Sequence, residues 1–175
     1  AVAALRDELK KKAKQFSKIV KIGRTHLMDA VPLTLGQEIG GWAAMLDADL
    51  GRIEAVLPGL LALAIGGTAV GTGLNTPAGW ADTVCRHIGT LAGRPFTSAD
   101  NKFMALAAHD ALVDLHGRLR LLATALFKIA NDLRLMNSGP NTGLSELTLP
   151  AVQPGSSIMP GKVNPVMAEM LTMVA

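Results

Sequence analysis

The segment Gly155–Pro165 combines residue types that could bind an anion and carry out a reaction on it. It reads Gly-Ser-Ser-Ile-Met-Pro-Gly-Lys-Val-Asn-Pro. Its glycines and prolines favour a sharp turn, which could also move as a lid. The last proline suits the first position of a helix, whose free N–H groups would point towards an anion held by Lys162 and Asn164. A surface turn is the alternative, but this order of residues favours an anion receptor, with Ser156 and Ser157 placed to react.

A second polar segment, Gly23–Ala30, contains the only histidine that lies outside the predicted helices. Flanked by Arg24 and Thr25, His26 could hold a substrate carboxylate or relay a proton through water. Taken alone, it is better explained as a hydrogen-bonded structural histidine. Glu169 falls in the helix predicted after the first segment. It could orient the imidazole and raise its basicity if the two came close, and is otherwise a helix-surface residue.

The glycine-rich segment Gly66–Asn75 has the composition of a phosphate-binding loop. It lacks the Gly-Lys-Ser/Thr ending of a P-loop, and no strand is predicted before it. We therefore expect a tight connection between helices that shapes a pocket wall, and not a nucleotide site.

Long helices must position these segments. Thr34–Gln37 is a capping box that opens one helix, which Pro58 should kink or end. A short helix is predicted from Thr76 to about Gly93. From about residue 100 to residue 137, apolar residues alternate gaps of three and four, and others lie off this seam, which indicates a helix buried on several sides. No strand is predicted. The expected fold is all-α, a long-helix bundle larger than this chain can form alone.

Composition agrees with closely packed helices and excludes several classes of protein. Apolar residues make up 49% of the chain, aromatic residues 3%, and tyrosine is absent. No apolar run reaches the roughly 20 residues of a membrane span. The net charge of +3 comes without an aromatic platform, so nucleic-acid binding is not expected. Cys85 is the only cysteine, which excludes a disulfide framework and predicts a buried thiol. With no visible signal peptide, we expect a cytoplasmic protein, although a processed mitochondrial protein would look the same.

Three segments resemble the fumarase and aspartase superfamily, and class II fumarases in particular: Gly155–Pro165, Gly23–Ala30 and Gly66–Asn75. The resemblance extends through nearly the whole chain and includes Leu33–Glu38, Asn101–Phe103 and Ala107–Ala111. Two positions distinguish the branch. Fumarases are similar to this chain in having histidine at His26 and glycine at Gly161, where aspartases usually have glutamine and alanine.

The resemblance implies reversible hydration of fumarate to L-malate through a doubly charged aci-carboxylate, without a metal or an organic cofactor. Three implied catalytic residues are the general base that removes the C3 proton, a histidine and its acidic partner: Ser156, His26 and Glu169. The implied substrate-binding residues are Thr25, Ser157, Lys162 and Asn164. The family assembles as a homotetramer whose sites are each built from three subunits. His26 and Ser156 of one chain would therefore serve different sites.

The chain also departs from the family pattern. Asn141 stands where arginine is common, and Met104 where an acidic residue is usual. The family's other substrate loop and its C-terminal region have no counterpart in residues 1–175, and both chain ends fall in helices without caps. We therefore expect the central helical-bundle region, truncated at both ends and inactive alone. The alternatives are aspartate ammonia-lyase or a related lyase, and a non-catalytic helical oligomerisation scaffold.

Overall fold

The computed structural model describes residues 1–175 and confirms the predicted helical fold. Its helices are α1 (Val2–Gln15), α2 (Leu35–Val56), α3 (Trp80–Ala92), α4 (Lys102–Ala107), α5 (Asp110–Met136) and α6 (Val166–Val174), with a 3-10 turn at Leu57–Leu60. Four short strands accompany them: β1 (Val20–Thr25), β2 (Met28–Thr34), β3 (Ala62–Leu63) and β4 (Thr97–Ser98). The backbone divides into a first unit, Ala1–Leu50 with Arg120–Ala175, and a second unit, Gly51–Leu119.

The core of the first unit is formed by α2 and the second half of α5. The capping box at the start of α2 is present, because the Thr34 N–H donates to Gln37 Oε1 (2.8 Å) and the Gln37 N–H donates to Thr34 Oγ1 (3.1 Å). One face of α2 is buried, with Leu46 fully enclosed. The indole N–H of the buried Trp42 donates to Asp132 of α5 at 3.0 Å. The heptad seam of α5 is buried only in this second half, at Leu122, Ile129 and Met136.

An antiparallel hairpin of β1 and β2 replaces the loop predicted at Gly23–Ala30, so the absence of strands was a wrong prediction. Its two-residue turn is His26 and Leu27, with φ of 55° and 64°. Positive φ at both positions matches the twist of a tight hairpin, although the usual residues there are asparagine and glycine. The strands were not predicted because β2 leaves most of its side chains exposed. It therefore lacks the alternation of buried and exposed residues by which a strand is recognised in a sequence.

In the second unit, the predicted helix ends are right and one predicted helix start is wrong. Pro58 ends α2 through the 3-10 turn, and α3 ends at Gly93, whose φ of 63° closes the helix. However, α3 begins at Trp80, later than predicted. Cys85 is buried as expected, and burial raises the pKa of its thiol. The strands β3 and β4 form a two-residue parallel pair.

The helix predicted from about residue 100 to residue 137 is broken into α4 and α5. Ala108 is extended at the break, with φ of −132° and ψ of 148°. The backbone oxygen of His109 then accepts the N–H groups of Leu112 and Val113, which starts α5. His109 therefore lies between helices, and His26 is not the only non-helical histidine. No glycine or proline marks this break in the sequence.

Large apolar side chains remain exposed on α5, including Val113, Leu121 and Phe127. Exposed methionines follow on α6, where Met173 is 80% exposed. None of the helices combines the length and the apolar character that crossing a membrane requires.

Candidate active site

The segment Gly155–Pro165, here called the serine loop, is an irregular turn closed at its base. The Gly155 N–H donates to the Lys162 carbonyl oxygen at 2.9 Å, and the Lys162 N–H donates to the Met159 oxygen at 3.2 Å. The Asn164 amide donates to the Gly155 oxygen at 3.5 Å. A Cβ on Gly155 would lie only 2.8 Å from the Lys162 oxygen, so the loop closes this tightly only with glycine.

The two serines of the loop differ in their surroundings. Ser156 is half-buried, and its Oγ accepts the Ile158 N–H at 3.3 Å. Ser157 is exposed. Because a donated N–H stabilises negative charge on an oxygen, this contact favours the alkoxide form that a serine base requires.

A cavity of about 1090 Å³ opens beside the loop within the first unit. Lys162, Asn164 and Glu169 line it, together with Arg134 in the last turn of α5 and Asn137 just after that helix. Two cations and one carboxylate leave this part of the wall with a positive balance, which favours an anionic ligand. The cavity therefore brings together three of the predicted site residues. Ser156 and Ser157 do not line it.

Arg134 was missed as a candidate site residue. It lies in the last turn of α5, and its Nη1 donates to Asn131 Oδ1 at 3.1 Å. In the sequence it is one more polar residue between the apolar positions of a long helix, so its type and spacing carry no signal. Only the fold shows that the end of α5 opens into the cavity.

The helix after the serine loop begins one residue later than predicted. Pro165 caps α6 and does not occupy its first helical position. The Val166 N–H donates to the Asn164 carbonyl oxygen at 2.9 Å. The expectation that this N–H is free to bind a ligand was therefore wrong. Glu169 is half-buried in the first turn of α6.

Thr25 and His26 lie at the exposed tip of the β1–β2 hairpin. Neither lines the cavity, and no hydrogen bond or ion pair joins His26 to Glu169 or Ser156. Within one chain, the structure thus groups Lys162, Asn164 and Glu169 and leaves the histidine apart from them.

A half-buried ion cluster, which is not predictable from residue spacing, stabilises the hairpin. Lys21 Nζ lies 2.5 Å from Glu38 Oε2 and 2.7 Å from Glu146 Oε2. Arg24 donates to both oxygens of Glu146, at 2.5 and 2.8 Å. The hydrogen bonds from Arg24 are the main cause that lowers the pKa of Glu146 from 4.5 to about 2; burial opposes them and Lys21 adds to them.

The glycine-rich segment lies in the second unit, as an irregular connection between β3 and α3. Gly71 has a φ of 112° and lies so close to Phe103 that a Cβ would be 2.8 Å from the ring. A separate cavity of about 460 Å³ is lined by Gly66, Gly71 and Lys102. The Lys102 ammonium is bonded to the Ala99 oxygen at 3.0 Å, so it serves the local fold.

This chain is similar to known proteins along nearly its whole length. The sequence pattern of the lyase family matches residues 1–175. The class II fumarate hydratase of Myxococcus xanthus is 60% identical over 98% of this chain and 37% of its own length. The mitochondrial fumarate hydratase of Danio rerio is 57% identical over 98% of this chain and 34% of its own length. The crystal structure of class II fumarase from Schistosoma mansoni superposes with a TM-score of 0.95 at 46% identity, covering 99% of this chain and 39% of that one.

Proposed function

This chain belongs to the lyase family, and on that premise we propose that it supplies part of the active site of a class II fumarate hydratase, which interconverts fumarate and L-malate. The observation that carries the proposal is the meeting of Lys162, Asn164 and Glu169 in one cavity beside the closed serine loop. The similarity to fumarate hydratases along nearly the whole chain gives the reaction.

In this proposal, Ser156 is the general base that removes the C3 proton of malate. That proton is weakly acidic, because it lies next to a carboxylate that becomes a doubly charged aci-carboxylate when the proton leaves. Lys162 and the Asn164 amide are the donors that stabilise the added charge. The Ile158 N–H, 3.3 Å from Ser156 Oγ, supports the basic form of the serine.

Thr25 and His26 contact the substrate in this proposal, Glu169 is the partner of a histidine, and Ser157 flanks the base. Because the hairpin tip is exposed and lies outside the cavity, His26 of one subunit would meet Glu169 and Ser156 of others. A homotetramer with sites built from three subunits meets this requirement. The exposed apolar surface of α5 and α6 supports association with further copies.

The chain spans about 37% of the length of the fumarate hydratases it matches. It therefore carries only a part of what those proteins use, and we propose that it is the central helical region and is inactive without the remainder. We propose a cytoplasmic location, with the mitochondrial matrix as the alternative.

The test is detection of fumarate by its ultraviolet absorbance. Full-length protein is incubated with L-malate, and with L-aspartate in parallel. Fumarate from malate alone supports the proposal. Fumarate from aspartate would instead assign an ammonia-lyase, and a folded tetramer silent with both substrates would favour a non-catalytic scaffold. Residues 1–175 alone, run beside it, should be inactive; turnover by this chain would contradict its proposed dependence on the remainder.

A further inference from the structure

The ion cluster of Lys21, Arg24, Glu38 and Glu146 is electrically balanced and largely shielded from solvent. The exposed fraction of its side chains lies between 11% and 26%. Ion pairs this shielded are costly to break one partner at a time, because the remaining charge is left without compensation. The exposed pairs of this chain, such as those between Asp47 and Arg6 or Lys10, carry no such penalty.

A register irregularity in the hairpin lets two cations reach the same carboxylate. In a regular strand, Lys21 and Arg24 would point to opposite faces, since side chains alternate. The pairing of β1 with β2 shifts between Ile22 and Arg24, and the alternation of half-buried residues along β1 shifts with it. Both side chains consequently reach Glu146.

Glu146 is the fixed end of this contact. Its backbone N–H and that of Leu147 both donate to the Met136 carbonyl oxygen, at 2.8 and 3.1 Å. Met136 is a buried residue at the end of α5. The carboxylate therefore projects from an anchored backbone, while the partner it holds sits in an exposed hairpin.

We infer that Glu146 is a positioning residue, which acts through Arg24 to fix the turn that carries Thr25 and His26. The inference rests on the proposed function, because it takes Thr25 and His26 as substrate contacts. Arg24 immediately precedes this pair in β1, and two parallel hydrogen bonds to one carboxylate fix the orientation of its guanidinium. A single ammonium could supply the charge but not this orientation.

The experiment compares Glu146→Gln, Glu146→Asp and Arg24→Lys with Asp47→Asn in the full-length protein. Asp47→Asn is the matched control, because it removes one carboxylate from exposed ion pairs elsewhere in the first unit. Hydrogen–deuterium exchange is followed in the peptides covering residues 20–34 and 155–165, beside kcat and KM for L-malate.

We expect Glu146→Gln to speed exchange in residues 20–34 by about tenfold or more, with exchange in the serine loop unchanged. We expect kcat/KM to fall by about a hundredfold, the cost of a misplacement near 1 Å. Arg24→Lys and Glu146→Asp should also speed exchange in residues 20–34 and lower kcat/KM, but by smaller factors. These two variants provide the test if Glu146→Gln does not fold. The control should change neither quantity.

Unchanged exchange in residues 20–34 of a folded Glu146 variant would overturn the inference, whatever the substrate proves to be. Faster exchange with wild-type kcat/KM would also overturn it, since the cluster would then only stabilise the fold. A wild-type protein that leaves malate unchanged would contradict the proposed function, and it is recognised before any variant is compared.

Discussion

The Gly155 N–H donates to the Lys162 carbonyl oxygen at 2.9 Å, and this contact closes the base of the serine loop. The approach is so close that a Cβ on Gly155 would meet the Lys162 oxygen at 2.8 Å and Asn164 Oδ1 at 2.9 Å. Gly155 therefore does more than allow a turn. It sets the spacing between Ser156 and the two groups proposed to bind the substrate carboxylate.

Replacing Gly155 by alanine should open the loop and reduce turnover. In the full-length protein we expect Gly155→Ala to lower kcat/KM for L-malate by about tenfold to a hundredfold, because the carboxylate ligands shift relative to the base. Gly41→Ala is the control: Gly41 lies within α2, and a Cβ there would meet nothing within 4 Å. The control should keep full activity and gain about 0.5–1 kcal/mol of stability. Equal activity in both variants would show that the reaction does not need the hydrogen bond between Gly155 and Lys162 that closes the serine loop.

The ion cluster should make stability depend on acid pH. The folded pKa of Glu146, about 2, lies below its ordinary value of 4.5, so its contribution is complete above about pH 4.5 and is lost as the pH falls towards 2. Urea unfolding of wild-type protein and Glu146→Gln should therefore differ most above pH 4.5, and the difference should shrink between pH 4.5 and 2. A difference that stays constant over this range would contradict the lowered pKa.

The core of the first unit should tolerate little loss of volume. Leu46 is 0% exposed on α2, so Leu46→Ala should lower the free energy of unfolding by about 2–5 kcal/mol. The same substitution at Leu91, which is 90% exposed on α3, should change it by less than about 0.5 kcal/mol. Urea titration of both variants measures the contrast, and similar losses would mean that α2 is not packed as described.

Lys162 should matter for the reaction rather than for the fold. It lines the cavity and is exposed, so Lys162→Met should leave the unfolding midpoint unchanged and lower kcat/KM by about a hundredfold to a thousandfold. Lys11→Met, at an exposed lysine of α1, is the matched control and should be fully active. A Lys162→Met variant with the activity of the control would contradict the proposal that Lys162 binds the substrate carboxylate.

Local chemistry made several elements predictable. The side chains at Thr34–Gln37 cap α2 on their own, Pro58 cannot continue a helix, and Gly93 adopts the positive φ that ends α3. The turn of the serine loop follows equally from its glycines and prolines. In each case a few neighbouring residues determine the backbone without help from the rest of the fold.

The missed features depend on distant partners. The hairpin around His26 has no buried alternate face to reveal it, and Arg24 meets a glutamate 122 residues away in the chain. The break between α4 and α5 lacks a glycine or proline, so no residue type marks it in the sequence. Residue type and spacing carry little trace of contacts made so far apart in the chain.

The role of Ser156 as the general base is the central claim, and Ser156→Ala in the full-length protein tests it most directly. Removing Oγ leaves the loop backbone and its closing hydrogen bonds in place. We predict that fumarate formation from L-malate falls by about a thousandfold or more, with the oligomer and the unfolding midpoint unchanged. Ser17→Ala, at an exposed serine outside the site, should retain full turnover. Turnover by Ser156→Ala close to that of wild type would contradict the assignment of the base and, with it, the mechanism proposed for this site.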